Sequence, residues 1–143
     1  VLGERYTHGH VFDFYHKLLK DPNRIEVLGD GNQTKSYMHV SDCIDGILLG
    51  IEKASAPVNI FNLGVDGIIK VRESLALIVG QLGLSPEIIY TGGIRGWVGD
   101  SPLIHLDCAR IRALGWQPRM PIDDGVLCTL AWLKANSWVF EGR

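Results

Sequence analysis

The sequence is poor in the features that mark several large protein classes. No apolar run approaches the roughly 20 residues a helix needs to cross a bilayer, so no membrane span is expected. Charge is balanced: 14 Lys and Arg against 16 Asp and Glu give a formal net charge of −2. That leaves no broad cationic face for nucleic acid and confines any anion site to a local cluster. Cysteine is scarce, with Cys43, Cys108 and Cys128 far apart. An odd, dispersed set is not a disulfide framework. Each lies in a helix-like apolar pattern, so buried free thiols in a reducing, cytoplasmic setting are expected.

Catalytic signatures are missing too. No glycine-rich phosphate fingerprint follows an opening strand, as a dinucleotide site requires. There is no Tyr-x-x-x-Lys pair, no Gly-x-Ser-x-Gly elbow, and no pair of acids in a frame that suits glycoside hydrolysis. The chain does not start with Met, which leads us to expect a piece of a longer protein. Internal repeats and low-complexity tracts are absent as well.

What remains is one ordinary α/β domain over residues 1–143, 46% hydrophobic and 21% charged. Apolar spacing predicts a helix over Val11 to Leu19, stopped by Pro22. Ile25 to Leu28 reads as a strand before the Gly29-Asp-Gly31 turn, and Tyr37 to Val40 as another. Ser41-Asp42 is expected to cap a helix with Ile44, Ile47, Leu48 and Ile51 as its inward stripe. Val58 to Leu63 reads as a strand covered on both faces, the edge of a larger doubly wound sheet. A helix carrying Val71, Leu75, Ile78, Val79 and Leu82 ends at Gly83. A strand at Ile88 to Tyr90 precedes the glycine-rich loop Thr91 to Pro102. A short strand at Ile104 to Leu106 and a helix capped by Asp107 follow. Pro121 opens the last helix, with Ile122, Val126, Leu130 and Leu133 inward.

Two stretches carry possible chemistry. Strand alternation puts Lys35, Tyr37 and His39 on one face, with Met38 and Val40 opposite. A cation, a phenol and an imidazole in a row suit a phosphate ester. A solvated strand face with an incidental lysine has the same look. In the glycine-rich loop, Arg95 has the planar fork that grips phosphate oxygens, and Asp100 can hold the arginine or accept from a ribose hydroxyl. Trp97 can cover a base or a sugar, or serve as a packing anchor. An ordinary surface loop fits the same residues. His8 and His10 flank a glycine where a helix begins. With no acids or cysteines clustered around them, the pair suits capping or an anion at the helix N-terminus better than a metal.

The order of these motifs resembles that of UDP-glucose 4-epimerases and related NAD-dependent epimerases and dehydratases, in the extended short-chain dehydrogenase/reductase family. The pattern is Gly29-Asp-Gly-x-Gln33-x-Lys35-Ser-Tyr37-x-His39-Val-x-Asp42, then Asn59-Ile-Phe-Asn-Leu-Gly64. Arg95-Gly-Trp-x-Gly-Asp100, Leu106-Asp107 and Leu114-Gly-Trp-x-Pro118 complete it. The resemblance runs from Val1 to about Leu133 and is to the family's C-terminal part.

It implies a substrate-binding lobe plus an edge strand of an incomplete Rossmann sheet, with the NAD-binding N-terminal domain and its Tyr-x-x-x-Lys pair lying outside this chain. It implies a nucleotide-sugar ligand, with Lys35 at the diphosphate where relatives carry arginine and Tyr37 beside the nucleotide. Glu26 and Leu28 would meet the base, and Arg95 and Asp100 would lie near the diphosphate and ribose. Catalytic residues are not expected here, nor is NAD bound by this chain alone. A homodimer, or association through the exposed sheet edge, is the expected assembly. A stand-alone nucleotide-binding module is the alternative.

Overall fold

The computed structural model describes residues 1–96, 99–100 and 104–141. Helix α1 (His10–Lys20) leads to strand β1 (Arg24–Val27) and strand β2 (Thr34–Lys35), then helix α2 (Val40–Lys53). Strand β3 (Ile69–Lys70) runs directly into helix α3 (Val71–Leu82), and strand β4 (Glu87–Tyr90) follows. Helix α4 (Ala109–Ala113), helix α5 (Ile122–Ala135) and a 3-10 turn (Ser137–Phe140) complete the chain. The class is mixed α/β, as the interleaved pattern implies.

The main core lies between α1, α3 and α5. On α5, Val126, Leu130 and Leu133 recur at helical spacing and are fully buried. They meet Leu75 and Ile78 of α3, Val11, Phe14 and Leu18 of α1, and Ile25 and Val27 of β1. Gly83 takes the left-handed conformation, φ 67°, that closes α3. The N-cap of α4 is Cys108 rather than the expected Asp107, whose carboxylate accepts from the Ala109 N–H at 2.9 Å one position earlier.

Two short sheets place the loops. β1 and β4 pair in parallel, from Arg24 opposite Glu87 to Val27 opposite Tyr90. β2 and β3 pair antiparallel through Thr34–Lys70 and Lys35–Ile69. The opening segment is also tied down. Leu2 N–H donates to Met38 O, and Val40 N–H to Leu2 O, both at 2.8 Å. Gly3 N–H donates to Thr129 Oγ1 of α5, also at 2.8 Å.

Several expectations are overturned. The chain leaves strand geometry after Lys35, so the alternation that grouped His39 with Lys35 and Tyr37 stops. His39 is instead the buried N-cap of α2, its Nδ1 accepting from Ser41 N–H at 3.3 Å. Ser41 and Asp42 therefore lie inside the helix. Asp42 is 1% exposed and binds the following loop: Oδ1 accepts from Arg119 N–H and Oδ2 from Met120 N–H, each at 3.0 Å. Its carbonyl accepts from Trp116 Nε1 at 2.9 Å.

The apolar stripe of α2 faces outward, with Ile44 49%, Ile47 51%, Leu48 59% and Ile51 75% exposed. The inward side is Asp42, Gly46 and Gly50. Val58 to Leu63 forms no strand among the described residues, and Val58 and Ile60 stay exposed. Ile104 to Leu106 is likewise exposed and not a strand. Of the thiols, all free, Cys108 is buried, Cys43 half-buried and Cys128 exposed, because Cys128 sits on the outer side of α5.

The glycine side of α2 sets a stability expectation. A Cβ on Gly46 would come within 2.6 Å of Leu63 Cδ2 and 2.9 Å of Trp116 Nε1. A Cβ on Gly80 of α3 would meet nothing within 4 Å. Gly46→Ala should therefore cost about 1–3 kcal/mol by overpacking. Gly80→Ala should be neutral or stabilise by up to about 1 kcal/mol through helix propensity. Urea unfolding of the two variants checks the contrast.

Candidate functional site

The parallel register of β1 and β4 sends both strand ends to the same edge. The two loops found from sequence therefore leave side by side. Thr91 N–H donates to Val27 O and Gly92 N–H to Gly29 O, each at 3.0 Å. Thr91 Oγ1 accepts from Gly29 N–H at 2.9 Å. Gly29 and Gly31 have φ of 83° and 76°, so the turn between them needs residues without a Cβ. The Gly29–Gly31 turn is further pinned to α3, since Gly31 O accepts from Arg72 N–H and Gln33 O from Val71 N–H, both at 3.0 Å.

A cavity of about 310 Å³ opens where these loops meet α1. Gly9, His10, Asp13 and Lys17 line it from α1, Leu28 from the end of β1, and Gln33, Lys35 and Tyr37 from the motif segment. Gly96 and Asp100 close it from the glycine-rich loop. Of the six residues singled out from sequence, Lys35, Tyr37, Leu28 and Asp100 thus line one cavity.

Glu26 and Arg95 do not line it. The burial alternation of β1 turns the Glu26 side chain to solvent, while its carbonyl accepts from Lys17 Nζ at 2.8 Å. Arg95 is exposed, its backbone O lying next to Gly29. Asp100 is paired with Lys35 rather than held by Arg95. Trp97 lies outside the described residues.

The cavity is small and of mixed charge, with Lys17 and Lys35 against Asp13 and Asp100. Burial pushes the Asp100 carboxyl up. The Lys35 hydrogen bond, the Gly96 N–H at 3.0 Å and the charges of Lys35 and Arg95 outweigh it and hold the carboxyl below its ordinary value. Tyr37 is raised, first by burial and then by Tyr6 and Asp100. Burial and Asp13 push Tyr6 up to about 12. Both phenols stay protonated at neutral pH and are neutral donors. Burial pulls His10 down to about 4, with the positive chain terminus adding to it, so its imidazole is neutral as well.

Sequence reasoning missed Gln33, Asp13 and Lys17, and gave His10 only a helix-terminus role. A signal was available for three of them: positions 10, 13 and 17 are spaced three and four apart, one face of α1. Among the described residues no group of three metal-ligating side chains occurs.

Comparison with known proteins bears directly on this cavity. The model for the NAD dependent epimerase/dehydratase family matches residues 1–64, which include all the lining residues from α1 and the Gly29–Tyr37 stretch. The putative UDP-glucose 4-epimerase of Methanocaldococcus jannaschii is 29% identical over 141 residues, 96% of this chain and 44% of that protein. GDP-mannose 3,5-epimerase 1 of Oryza sativa subsp. indica is 31% identical over 125 residues, covering 85% of this chain and 31% of the rice protein. A crystal structure of a UDP-galactose 4-epimerase superposes with a TM-score of 0.80 at 32% identity, over 96% of this chain and 44% of that one.

Over residues 1–64 the chain is similar to the NAD dependent epimerase/dehydratase family.

It spans less than half the length of these relatives. The described residues do not fit a dinucleotide. Their one parallel pair is β1–β4, and β1 runs through the Gly29–Gly31 turn into β2 rather than into a helix N-terminus. No redox step is derived from them.

The Lys35–Asp100 pair predicts a pH dependence. Because Asp100 is lowered from 3.8 in the folded state, its contribution to stability is present above that value. It is lost as pH falls through the lowered folded value. The stability gap between the native chain and Asp100→Asn, measured by urea unfolding, should be constant near neutrality and shrink below about pH 4. A gap unchanged down to pH 3 would contradict the pairing.

Proposed function

We propose that this chain is the nucleotide-sugar-binding lobe of an NAD-dependent epimerase or dehydratase. The observation that carries the reading is the meeting of Lys35, Tyr37, Leu28 and Asp100 around one cavity at the carboxyl ends of a parallel strand pair. Open α/β sheets bind ligands at that edge. The relatives are named for UDP-glucose, UDP-galactose and GDP-mannose, which share a nucleoside diphosphate linked to a hexose. The lysine of this cavity suits the shared diphosphate.

In this reading Lys35 exchanges its Asp100 partner for a phosphate oxygen, as a point charge rather than a two-pronged fork. Tyr37, kept protonated, donates a neutral hydrogen bond, and Leu28 offers an apolar edge to the base. Asp100 is then free to accept from a ribose hydroxyl. Arg95 acts from outside the wall, through its field. Hydride transfer and the proton shuttle belong to residues beyond this chain, and NAD is held there.

The outward stripe of α2 supports the same reading. Ile44, Ile47, Leu48 and Ile51 are exposed, and Ile47 and Ile51 line a groove of about 490 Å³ with Phe61 and Leu63. A contiguous apolar face of this kind is a surface for association. We assign it to the rest of the enzyme, with self-association of the isolated lobe as the consequence and a cytoplasmic setting as the context.

Calorimetric titration with UDP tests the reading. Saturable binding with a Kd on the order of 0.1–1 mM is expected, since one wall of the sugar site lies elsewhere. Lys35→Ala should weaken it roughly tenfold, about 1.4 kcal/mol, and uridine should bind no more than marginally. UDP binding that ignores Lys35→Ala would overturn the assignment. Sub-micromolar affinity would show a complete stand-alone receptor instead of a lobe.

A further inference from the structure

The cavity has two ends of different chemistry. The start of α1 is tied to the Lys35 segment, because the His10 ring stacks on Tyr37 with centroids 4.6 Å apart. The later turns of α1 are tied instead to the end of β1, because Lys17 Nζ donates to Glu26 O at 2.8 Å. Phe14, Val27 and Leu28 make the lining at this second end apolar. Seven helical residues place Lys17 about 10 Å from His10. A ribose separates a diphosphate from its base over a similar span. With the diphosphate at Lys35, the base falls at Lys17.

The Glu26 carbonyl is not used by the sheet. Asn23 O accepts from Glu87 N–H at 2.8 Å and Val27 O from Thr91 N–H at 3.0 Å, so those carbonyls face β4. Successive carbonyls of a strand point to opposite edges. Glu26 O therefore projects from the other edge of β1, where no described strand pairs with it. Lys17 meets it there. A carbonyl oxygen has two lone pairs and an ammonium three donors, so each keeps capacity after bonding the other.

A donor and an acceptor thus stand side by side, 2.8 Å apart, next to an apolar wall. Uracil, thymine and guanine carry the complement, a lactam edge in which a carbonyl oxygen adjoins a ring N–H. The oxygen meets the lysine and the N–H meets Glu26 O. Cytosine and adenine carry the reverse, an amino group beside a bare ring nitrogen. Their amino group would oppose the ammonium, donor against donor, and their ring lone pair would oppose the carbonyl. Polar groups left unpaired in this way discriminate more strongly than a change in apolar contact.

We propose that Lys17, together with the Glu26 carbonyl, selects the base of the nucleotide sugar, admitting a lactam base and rejecting cytosine and adenine. The inference rests on the nucleotide-sugar reading above and narrows its substrate class. Lys17 Nζ donates to the exocyclic oxygen, Glu26 O accepts from the ring N–H, and Leu28 lies against the ring. A lysine has no acceptor, so its preference cannot be reversed by turning the side chain over, as that of an amide can.

UDP and CDP differ only at this edge, and titrations of both, followed by NMR, test the proposal. The native chain should bind UDP at least roughly tenfold more tightly than CDP. Lys17→Met keeps most of the stem and removes the donor. It should bring UDP affinity down towards that of CDP and leave CDP binding unchanged, whereas Lys17→Arg should retain the preference. Should Lys17→Met fail to fold, Lys17→Gln is read in its place. Its amide turns to suit either base, so the preference should collapse there too. A folded Met or Gln variant that keeps the full preference for UDP overturns the proposal. Equal binding of UDP and CDP by the native chain, each still weakened by Lys35→Ala, overturns the role of Lys17 alone. Absence of saturable, Lys35-dependent binding of either nucleotide overturns the pocket reading, and base selection falls with it.

Discussion

The parallel pairing of β1 with β4 is the constraint on which the site depends. Four residue pairs, from Arg24–Glu87 to Val27–Tyr90, bring together segments more than sixty positions apart. Because the strands run the same way, the Gly29–Gly31 turn and the glycine-rich loop leave at one end. The bond from Gly92 N–H to Gly29 O carries the alignment past the strands. Lys35 and Asp100 meet only because of that register. A two-residue slip would move Asp100 about 7 Å along the edge, beyond reach of the lysine.

A second set of contacts fixes the motif segment from the other side. Leu2 bridges to His39 in parallel, Gly3 is held by Thr129 of α5, and Asp42 binds the Arg119–Met120 backbone through both carboxylate oxygens. The residues between Lys35 and Asp42 are thereby anchored at both ends without regular strand structure. This is how Tyr37 comes to lie flat on His10 while His39, two positions on, turns into the helix cap.

Much of this was legible in the sequence. Helices α1, α3 and α5 followed from apolar spacing because their apolar faces are buried within this chain. Two loops rich in glycine marked the pocket because positive φ at Gly29, Gly31, Gly92 and Gly93 demands that residue. The failures have a common cause. The stripe of α2 and the Val58–Leu63 segment have the apolar patterns of buried elements, yet Ile44, Ile47, Leu48, Ile51, Val58 and Ile60 stay exposed among the described residues. Periodicity reports that a face is apolar, and says nothing about which chain covers it. Gly46 and Gly50, which set the true inward side, were invisible to a search for large apolar residues. Likewise nothing marks Gln33 as a cavity residue until the fold places it, and Arg95 looked like a phosphate ligand because its type fits and its direction was unknown.

The central claim is that a nucleoside diphosphate lies between the N-terminus of α1 and Lys35. A crystal structure of the chain soaked with UDP tests it most directly. The account predicts phosphate density within hydrogen-bonding distance of Lys35 Nζ, with the base toward Leu28 and the Asp100 carboxylate released from the lysine. Nucleotide density seated in the groove along α2, with the Lys35–Asp100 pair intact, would contradict it.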